Sequence, residues 1–171
     1  MVATSYFVQH RWLAVIGLIG ALSSGGCASW SPGAVPLGTP IDTVRARIFA
    51  PTGEYPLPDG GTRLEFAQGS FGKLTYMLDF DSKGILTASD QVLDEAHFAK
   101  IVPGMSGAEV RSRLGRPANL MWLAWQKLEV WNYRYFEGDC VWFQVSINQA
   151  GRVTDTGNGP DPACDGPNTR D

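Results

Sequence analysis

The chain has little of what metal binding, nucleophilic catalysis and nucleic-acid binding require. It has two histidines, His10 and His97, and three cysteines without CxxC spacing, so a metal site or a histidine-activated nucleophile has few candidate residues. Lys and Arg total 14 against 17 Asp and Glu, which leaves no basic surplus to attract phosphate backbones. No apolar run reaches the roughly 20 residues of a membrane-spanning helix. We therefore expect no nucleic-acid partner and no transmembrane helix.

The remaining groups that could carry acid–base chemistry have simpler structural explanations. His97 is interpreted as an ordinary surface histidine. The carboxylate pairs Asp79/Asp81 and Asp94/Glu95 fall at a turn and at a helix start, where carboxylates cap backbone amides. We therefore expect no catalytic residues, no metal ligands, no cofactor and no enzymatic activity.

The first 26 residues have the three parts of a secretory signal. Arg11 is their only charged residue, an apolar run follows at 12–22, and small residues occupy 23–26. The apolar run is too short to span a membrane, so residues 1–26 are predicted to be a cleaved signal peptide.

The end of that segment, Gly25-Gly26-Cys27, resembles the lipobox of bacterial lipoproteins, in which a cysteine after two small residues becomes acylated. The resemblance implies a lipid on Cys27 and, because alanine follows it, sorting to the outer membrane with the protein facing the periplasm. A soluble periplasmic product is the alternative. Lipidation would leave Cys140 and Cys164 to pair in an oxidising compartment, with free thiols as the alternative there.

The rest of the chain contains two copies of one sequence unit. A shift of 66 residues superimposes 38–51 on 104–117, and after one inserted residue a shift of 67 superimposes 64–86 on 131–153. The matched positions keep their residue class, as where Gly84 falls on Gly151. A constant shift with a single insertion is the signature of internal duplication.

Each unit is predicted to begin with a helix and to end in three antiparallel strands. In the second unit Ser106 and Glu109 form a capping box, and Gly115 ends the helix. The predicted strands and hairpin turns are 76–80, 81–84, 130–135, 141–147 and 148–151. The stretch between helix and strands is interpreted as a loop or a second helix. We therefore expect an α+β fold of two tandem ααβββ units, each a helical segment packed on a three-stranded antiparallel sheet.

The second unit resembles the SmpA/OmlA family, the BamE-like domain of small outer-membrane lipoproteins. The pattern consists of 104–110, Leu114-Gly-Arg-Pro117, Trp131-Asn-Tyr-Arg-Tyr135, Phe143-Gln-Val145 and Gly151-Arg-Val153, and the first unit is similar. The resemblance implies the ααβββ fold and a non-enzymatic role in assembling or maintaining the outer membrane. Envelope proteins, including outer-membrane assembly machinery, are the implied partners.

The expected organisation of the chain follows from these features. It comprises a signal peptide (1–26), a lipid anchor and tether (27–37), a first BamE-like unit (38–95), a second (96–157), and a tail (158–171) tied by the disulfide.

Three tryptophans are candidate partner-binding residues. Trp122 and Trp125 stand in the apolar segment 120–125, and Trp142 lies on the face of its strand opposite the main apolar residues. Tryptophan is enriched at interface hot spots, whereas burial of a second helix against the sheet is the alternative for this segment. The equivalent stretch 54–61 of the first unit is expected to be a plain connection.

The function expected from the sequence is that of an outer-membrane-anchored adaptor that binds envelope proteins. The alternative is a tandem-repeat inhibitor of a periplasmic or secreted hydrolase, because two units of this general shape also resemble the secreted β-lactamase-inhibitor proteins.

Overall fold

The computed structural model describes residues 31–137 and 139–164. The predicted signal peptide, Cys27 and the end of the tail lie outside the described residues. Within the described ranges, no helix is long and apolar enough to cross a membrane.

Short helices and two antiparallel sheets make up the described part of the chain. In chain order the elements are α1 (Ile41–Arg47), β1 (Gly53–Pro56), β2 (Thr62–Ala67), β3 (Thr75–Phe80), β4 (Leu86–Gln91), α2 (Glu95–Phe98), α3 (Gly107–Leu114), β5 (Asn119–Leu123), β6 (Leu128–Tyr133), β7 (Val141–Asn148) and β8 (Val153–Pro160). Single 3-10 turns precede and follow them at Pro32–Ala34 and Pro162–Cys164. The sheets have the strand orders β1-β2-β3-β4 and β5-β6-β7-β8.

The predicted fold of two ααβββ units is wrong. Each unit has a four-stranded sheet, because the stretch interpreted as a loop or second helix is a strand, β1 in the first unit and β5 in the second. One helix, α1, precedes the first sheet, and the short α2 and then α3 precede the second. Pairing with β2 and β6 satisfies the backbone groups on one side of these stretches, and such tertiary pairing overrides weak local preference. The protein is therefore mostly β.

The shifts of 66 and 67 residues that relate the sequences of the two units also relate equivalent hydrogen bonds within them. The amide of Ile41 donates to the carbonyl of Gly84, and the amide of Gly107 donates to the carbonyl of Gly151, so α1 and α3 each begin against the last hairpin turn of their own sheet. A β-bulge occurs at the same place in β3 and in β7. The two halves thus have the same topology and the same turn contacts.

The helix of each unit packs on one face of its own sheet. Val44 of α1 joins a buried cluster with Leu64, Phe66, Leu78, Phe80 and Leu86. Val110 and Leu114 of α3 join a second cluster that contains Trp131, Tyr133, Val145 and Ile147. Met77 of β3 also belongs to the second cluster, so the far face of the first sheet packs on the second unit. The two units therefore share buried surface, which units of about sixty residues need for stability.

The expected tether contacts the first unit over part of its length. Val35 is buried in the first cluster, and the amide of Gly38 donates to the carbonyl of Leu86 on β4. The chain is therefore held against the first sheet from Val35 onward.

Candidate interaction surface

The apolar segment 120–125 forms an exposed edge of the second sheet. Leu120, Met121 and Trp122 lie on β5, and Trp125 lies in the four-residue turn between β5 and β6. Their exposed fractions are 48, 40, 56 and 96%. Contiguous exposed apolar side chains of this size are typical of binding sites. We call these four residues the β5 surface.

β5 is an edge strand and pairs on one side only, with β6. Leu120 lies opposite Trp131 and Trp122 lies opposite Glu129, so both project from the face of the sheet that carries α3. Met121 projects from the other face. On its free side β5 has backbone donors and acceptors with no strand partner among the described residues, which is the property that lets an edge strand accept another strand.

The corresponding edge of the first sheet is blocked. The cross-strand register places Glu54 of β1 where β5 has Leu120, and Pro56 where β5 has Trp122. Glu54 is paired with Arg45 of α1 at 2.8 Å, and proline has no amide hydrogen to donate to an added strand. A charge and a proline are two of the devices by which proteins protect sheet edges. β5 has neither.

The other two edges of the sheets are polar. β4 exposes Thr87 and Asp90, and β8 exposes Thr154, Asp155 and Asn158. Of the four edges in the described part of the chain, only β5 exposes three successive large apolar side chains.

Trp142, the third candidate residue, lies apart from the β5 surface. It is 7% exposed, and the guanidinium of Arg134 lies 4.9 Å from the centre of its ring. The indole N–H is buried and makes no well-formed hydrogen bond, although the attraction between this N–H and the carboxylate of Asp161 helps to lower the pKa of Asp161. Trp142 is therefore part of a buried junction and does not contribute to an exposed surface.

Arg134 connects the two units with the chain after β8. Its Nε and Nη2 atoms donate to the two carboxylate oxygens of Asp161 at 2.5 and 2.8 Å, and Nη1 donates to the carbonyl of Ser70 in the first unit. The guanidinium also lies 5.1 Å from the ring centre of Phe71. The hydrogen bond from Arg134 is the main reason why the pKa of Asp161 falls to about 2. We call this set of contacts the Arg134 junction.

The disulfide between Cys140 and Cys164 lies beside the Arg134 junction. The two Cα atoms are 5.5 Å apart, and both residues are exposed. The amide of Asp161 donates to the carbonyl of Cys140, and the amide of Cys164 donates to the carbonyl of Asp161. The disulfide therefore fastens the short segment that carries Asp161.

A buried carboxylate is another polar contact between the units, beside the hydrogen bond from Arg63 Nη1 to the carbonyl of Ser112 at 2.8 Å. Glu65 of β2 is fully buried and accepts hydrogen bonds from Thr52 Oγ1 at 2.7 Å, from Tyr55 Oη at 2.6 Å and from the Arg116 amide at 3.1 Å. Burial and then the hydrogen bond to Glu65 raise the pKa of Tyr55. The neighbouring cavity, lined in part by Thr75 and Arg116, measures about 10 Å³, which is space for a single water. The geometry is that of a structural contact between the units.

His97 lies between two carboxylates at the connection of the units. Its Nδ1 is 2.8 Å from Asp94 and its Nε2 is 3.0 Å from Asp90. Asp94 also caps α2 by accepting the backbone amide of His97. Within residues 31–137 and 139–164, no group of three or more His, Cys, Asp or Glu is arranged to hold a metal ion.

Sequence reasoning identified the segment that forms the β5 surface but missed its secondary structure and the Arg134 junction. Arg134 and Asp161 are far apart along the chain, and no local pattern connects them. The one available signal was a charged residue, Arg134, near the end of the largely aromatic predicted strand 130–135. In comparisons with known proteins, no family model, curated protein or solved structure matches this chain.

Proposed function

We propose that this protein is a non-enzymatic adaptor of the bacterial envelope that binds another protein along the β5 surface. Its partner supplies an extended segment, which adds to the second sheet as a further strand next to β5. The observation that carries the proposal is the contrast between two equivalent edges: β1 carries Glu54 and Pro56 where β5 carries Leu120 and Trp122.

The physical basis of the proposal is that strand addition combines backbone hydrogen bonds with side-chain pockets. The free side of β5 offers the hydrogen bonds, which give affinity but little selectivity. Leu120 and Trp122 on one face and Met121 on the other give selectivity for apolar residues at alternating positions. Trp125 beyond the end of the strand adds a large apolar contact of the kind that dominates interface energetics.

The chemistry of β5 restricts the partner. Asn119–Leu123 carries no charged residue, so a charged segment gains no ion pair there and loses hydration. The partner segment is therefore extended, apolar on both faces and free of proline at the positions that pair with β5.

The envelope location in this proposal rests on residues 1–27 and on the cysteines. The signal-like segment with Cys27 at its end supports export, lipid attachment and residence at the outer membrane, facing the periplasm. The disulfide between Cys140 and Cys164 supports an oxidising compartment. The resemblance to the SmpA/OmlA family supports a partner among envelope proteins, including the outer-membrane assembly machinery.

Site-specific photocrosslinking in intact cells tests the proposal. A photoreactive residue at position 125 is expected to give a discrete higher-mass adduct, whereas the same residue at Pro58, exposed in the corresponding turn of the first unit, gives none. The adduct is expected to disappear when Trp122→Pro is added, because that change copies the blocked edge of β1 into β5. An adduct of equal yield with and without Trp122→Pro would contradict strand addition.

Inhibition of a hydrolase is the second candidate function, and the exposure of Trp125 favours it. A tryptophan that is 96% exposed at a hairpin tip has the shape of a side chain that enters a cleft. This candidate requires one-to-one binding that blocks turnover without a membrane, and it requires Trp125 while tolerating Trp122→Pro. Loss of binding in Trp122→Pro therefore favours the adaptor.

A further inference from the structure

The position of the disulfide shows what it can and cannot stabilise. β7 and β8 pair from Ile147 and Val153 out to Val141 and Pro160, and the two cysteines lie just beyond that last pair. The strands are already held by a long ladder of hydrogen bonds, so the disulfide adds little to their pairing. What it fastens is the chain after β8, including Asp161 and the 3-10 turn Pro162–Cys164.

That short segment is the outer half of the Arg134 junction. Asp161 holds Arg134 through two hydrogen bonds, and Arg134 in turn donates to the carbonyl of Ser70 in the first unit. The loop that contains Ser70 has a second contact with the second unit. Lys73 Nζ lies 3.7 Å from the carboxylate of Asp139, the residue before Cys140. A disulfide in the second unit is thus connected to a loop of the first unit through one buried ion pair.

We propose that the Cys140–Cys164 disulfide is a redox-sensitive lock on the contact between the two units. In the oxidised protein the lock keeps Asp161 within reach of Arg134, and Arg134 keeps the loop 68–74 in place. Both cysteines are exposed, so a dithiol reductant has access to the bond. Reduction transfers two electrons and two protons from the dithiol to the two sulfurs, which become thiols while the dithiol becomes a disulfide.

Reduction weakens the junction because it restores conformational freedom to residues 161–164. Their remaining attachments to the rest of the second unit are one backbone hydrogen bond, from the amide of Asp161 to the carbonyl of Cys140, and the ion pair itself, so the closed arrangement must compete with the conformational entropy of these residues. When Asp161 leaves, Arg134 is a buried cation that keeps one of its three hydrogen bonds, the one to the carbonyl of Ser70, and this favours movement of its side chain toward water. The loop 68–74 then loses the hydrogen bond from Arg134 and keeps only the exposed contacts of Lys73 with the second unit.

Hydrogen exchange of the full chain, with and without dithiothreitol, measures this coupling. The loop 68–74 contains two hydrogen-bonded amides: that of Gln68 donates to the carbonyl of Leu74, and that of Gly72 donates to the carbonyl of Gly69. Reduction is expected to speed their exchange about tenfold, equivalent to about 1.4 kcal/mol of opening free energy. The control is the turn 57–61 in the same unit, where the amides of Leu57 and Gly60 are bonded but make no contact with the junction; their exchange is expected to stay unchanged.

The variant Asp161→Asn separates a specific lock from general loosening. In the oxidised variant the loop 68–74 is expected to exchange as fast as in the reduced wild type, and reduction is expected to add nothing. The double variant Cys140→Ser, Cys164→Ser is expected to behave like the reduced wild type without any reductant. The proposal is overturned if reduction leaves the loop 68–74 unchanged, if the turn 57–61 responds equally, or if the whole chain unfolds on reduction.

Discussion

Alanine substitution of three tryptophans is expected to separate binding from stability. Trp125 is 96% exposed, so Trp125→Ala is expected to change the free energy of unfolding by no more than about 0.5 kcal/mol. Trp122 is 56% exposed, so Trp122→Ala is expected to lower the free energy of unfolding by about 1 kcal/mol because the buried part of the side chain is lost. Trp142 is 7% exposed, and its removal is expected to cost about 3–5 kcal/mol as a core tryptophan, with about 0.5–2 kcal/mol more from the lost contact with Arg134.

Urea denaturation followed by far-ultraviolet circular dichroism, with the disulfide intact, measures these differences without relying on the fluorescence of the residues that change. Adduct formation from position 121 of the β5 surface measures binding in the same variants. We expect Trp122→Ala and Trp125→Ala to reduce the adduct with near-normal stability, and Trp142→Ala to show the reverse. A loss of more than about 2 kcal/mol in Trp125→Ala would refute the reasoning, because a side chain in water cannot contribute that much.

Three further outcomes follow from the contacts described. Arg134 lowers the pKa of Asp161 to about 2, from about 3.9 in the unfolded chain, so their contact stabilises the fold fully above about pH 4 and this contribution is lost as the pH falls through 2. When the free energy of unfolding is measured from pH 5 to pH 2, we expect it to depend less on pH in Asp161→Asn than in the wild type. Glu65→Gln is expected to lower the free energy of unfolding by about 1–3 kcal/mol because an NH2 donor replaces one of the two oxygens that accept buried hydrogen bonds, whereas Glu54→Gln on the exposed edge is expected to stay within about 0.5 kcal/mol in the same urea titration. Cys27→Ser is expected to move the protein from the membrane fraction to the soluble periplasmic fraction, and continued sedimentation with membranes would contradict lipid attachment at that residue.

Local sequence signals predicted the elements whose causes are local. The capping box of Ser106 and Glu109 forms as expected, and α3 ends at Gly115 with a φ of 78°. The turn residues Asp81 and Asn148 each accept two amides of their own hairpin turn. These features depend on residues within four positions of one another, so one sequence is enough to find them.

The strands β1 and β5 were missed because their cause is not local. A short apolar run such as 120–125 fits a buried helix and a strand equally well, and periodicity alone does not decide between them. The first copy contained the missing information. Pro56 and Pro58 make a helix over 54–61 untenable, and a duplicated unit has the same topology in both halves. Reading the two copies together would have predicted the strand in both.

The contacts between the units could not be predicted from sequence for a related reason. Glu65 meets the Arg116 amide, and Arg134 meets Asp161 and Ser70, across separations of 27 to 64 residues. No turn or period connects such positions. Glu65 and Arg134 are buried polar groups, and a buried polar group predicts that a partner exists without identifying it.

The duplication makes the function of the β5 surface testable in the opposite direction. If Glu54 and Pro56 are what prevent β1 from accepting a strand, replacing both with their counterparts, Glu54→Leu and Pro56→Trp, should give the first sheet an edge like that of the second. We expect this double variant to fold, because both positions are exposed, and to form an adduct from a photoreactive residue at Pro58, where the wild type forms none. Leu120→Glu combined with Trp122→Pro should do the reverse and abolish the adduct from position 125. If the converted edge of β1 gives no adduct while β5 still gives one, affinity comes from the particular side chains around Trp125. An open apolar edge is then not sufficient for binding.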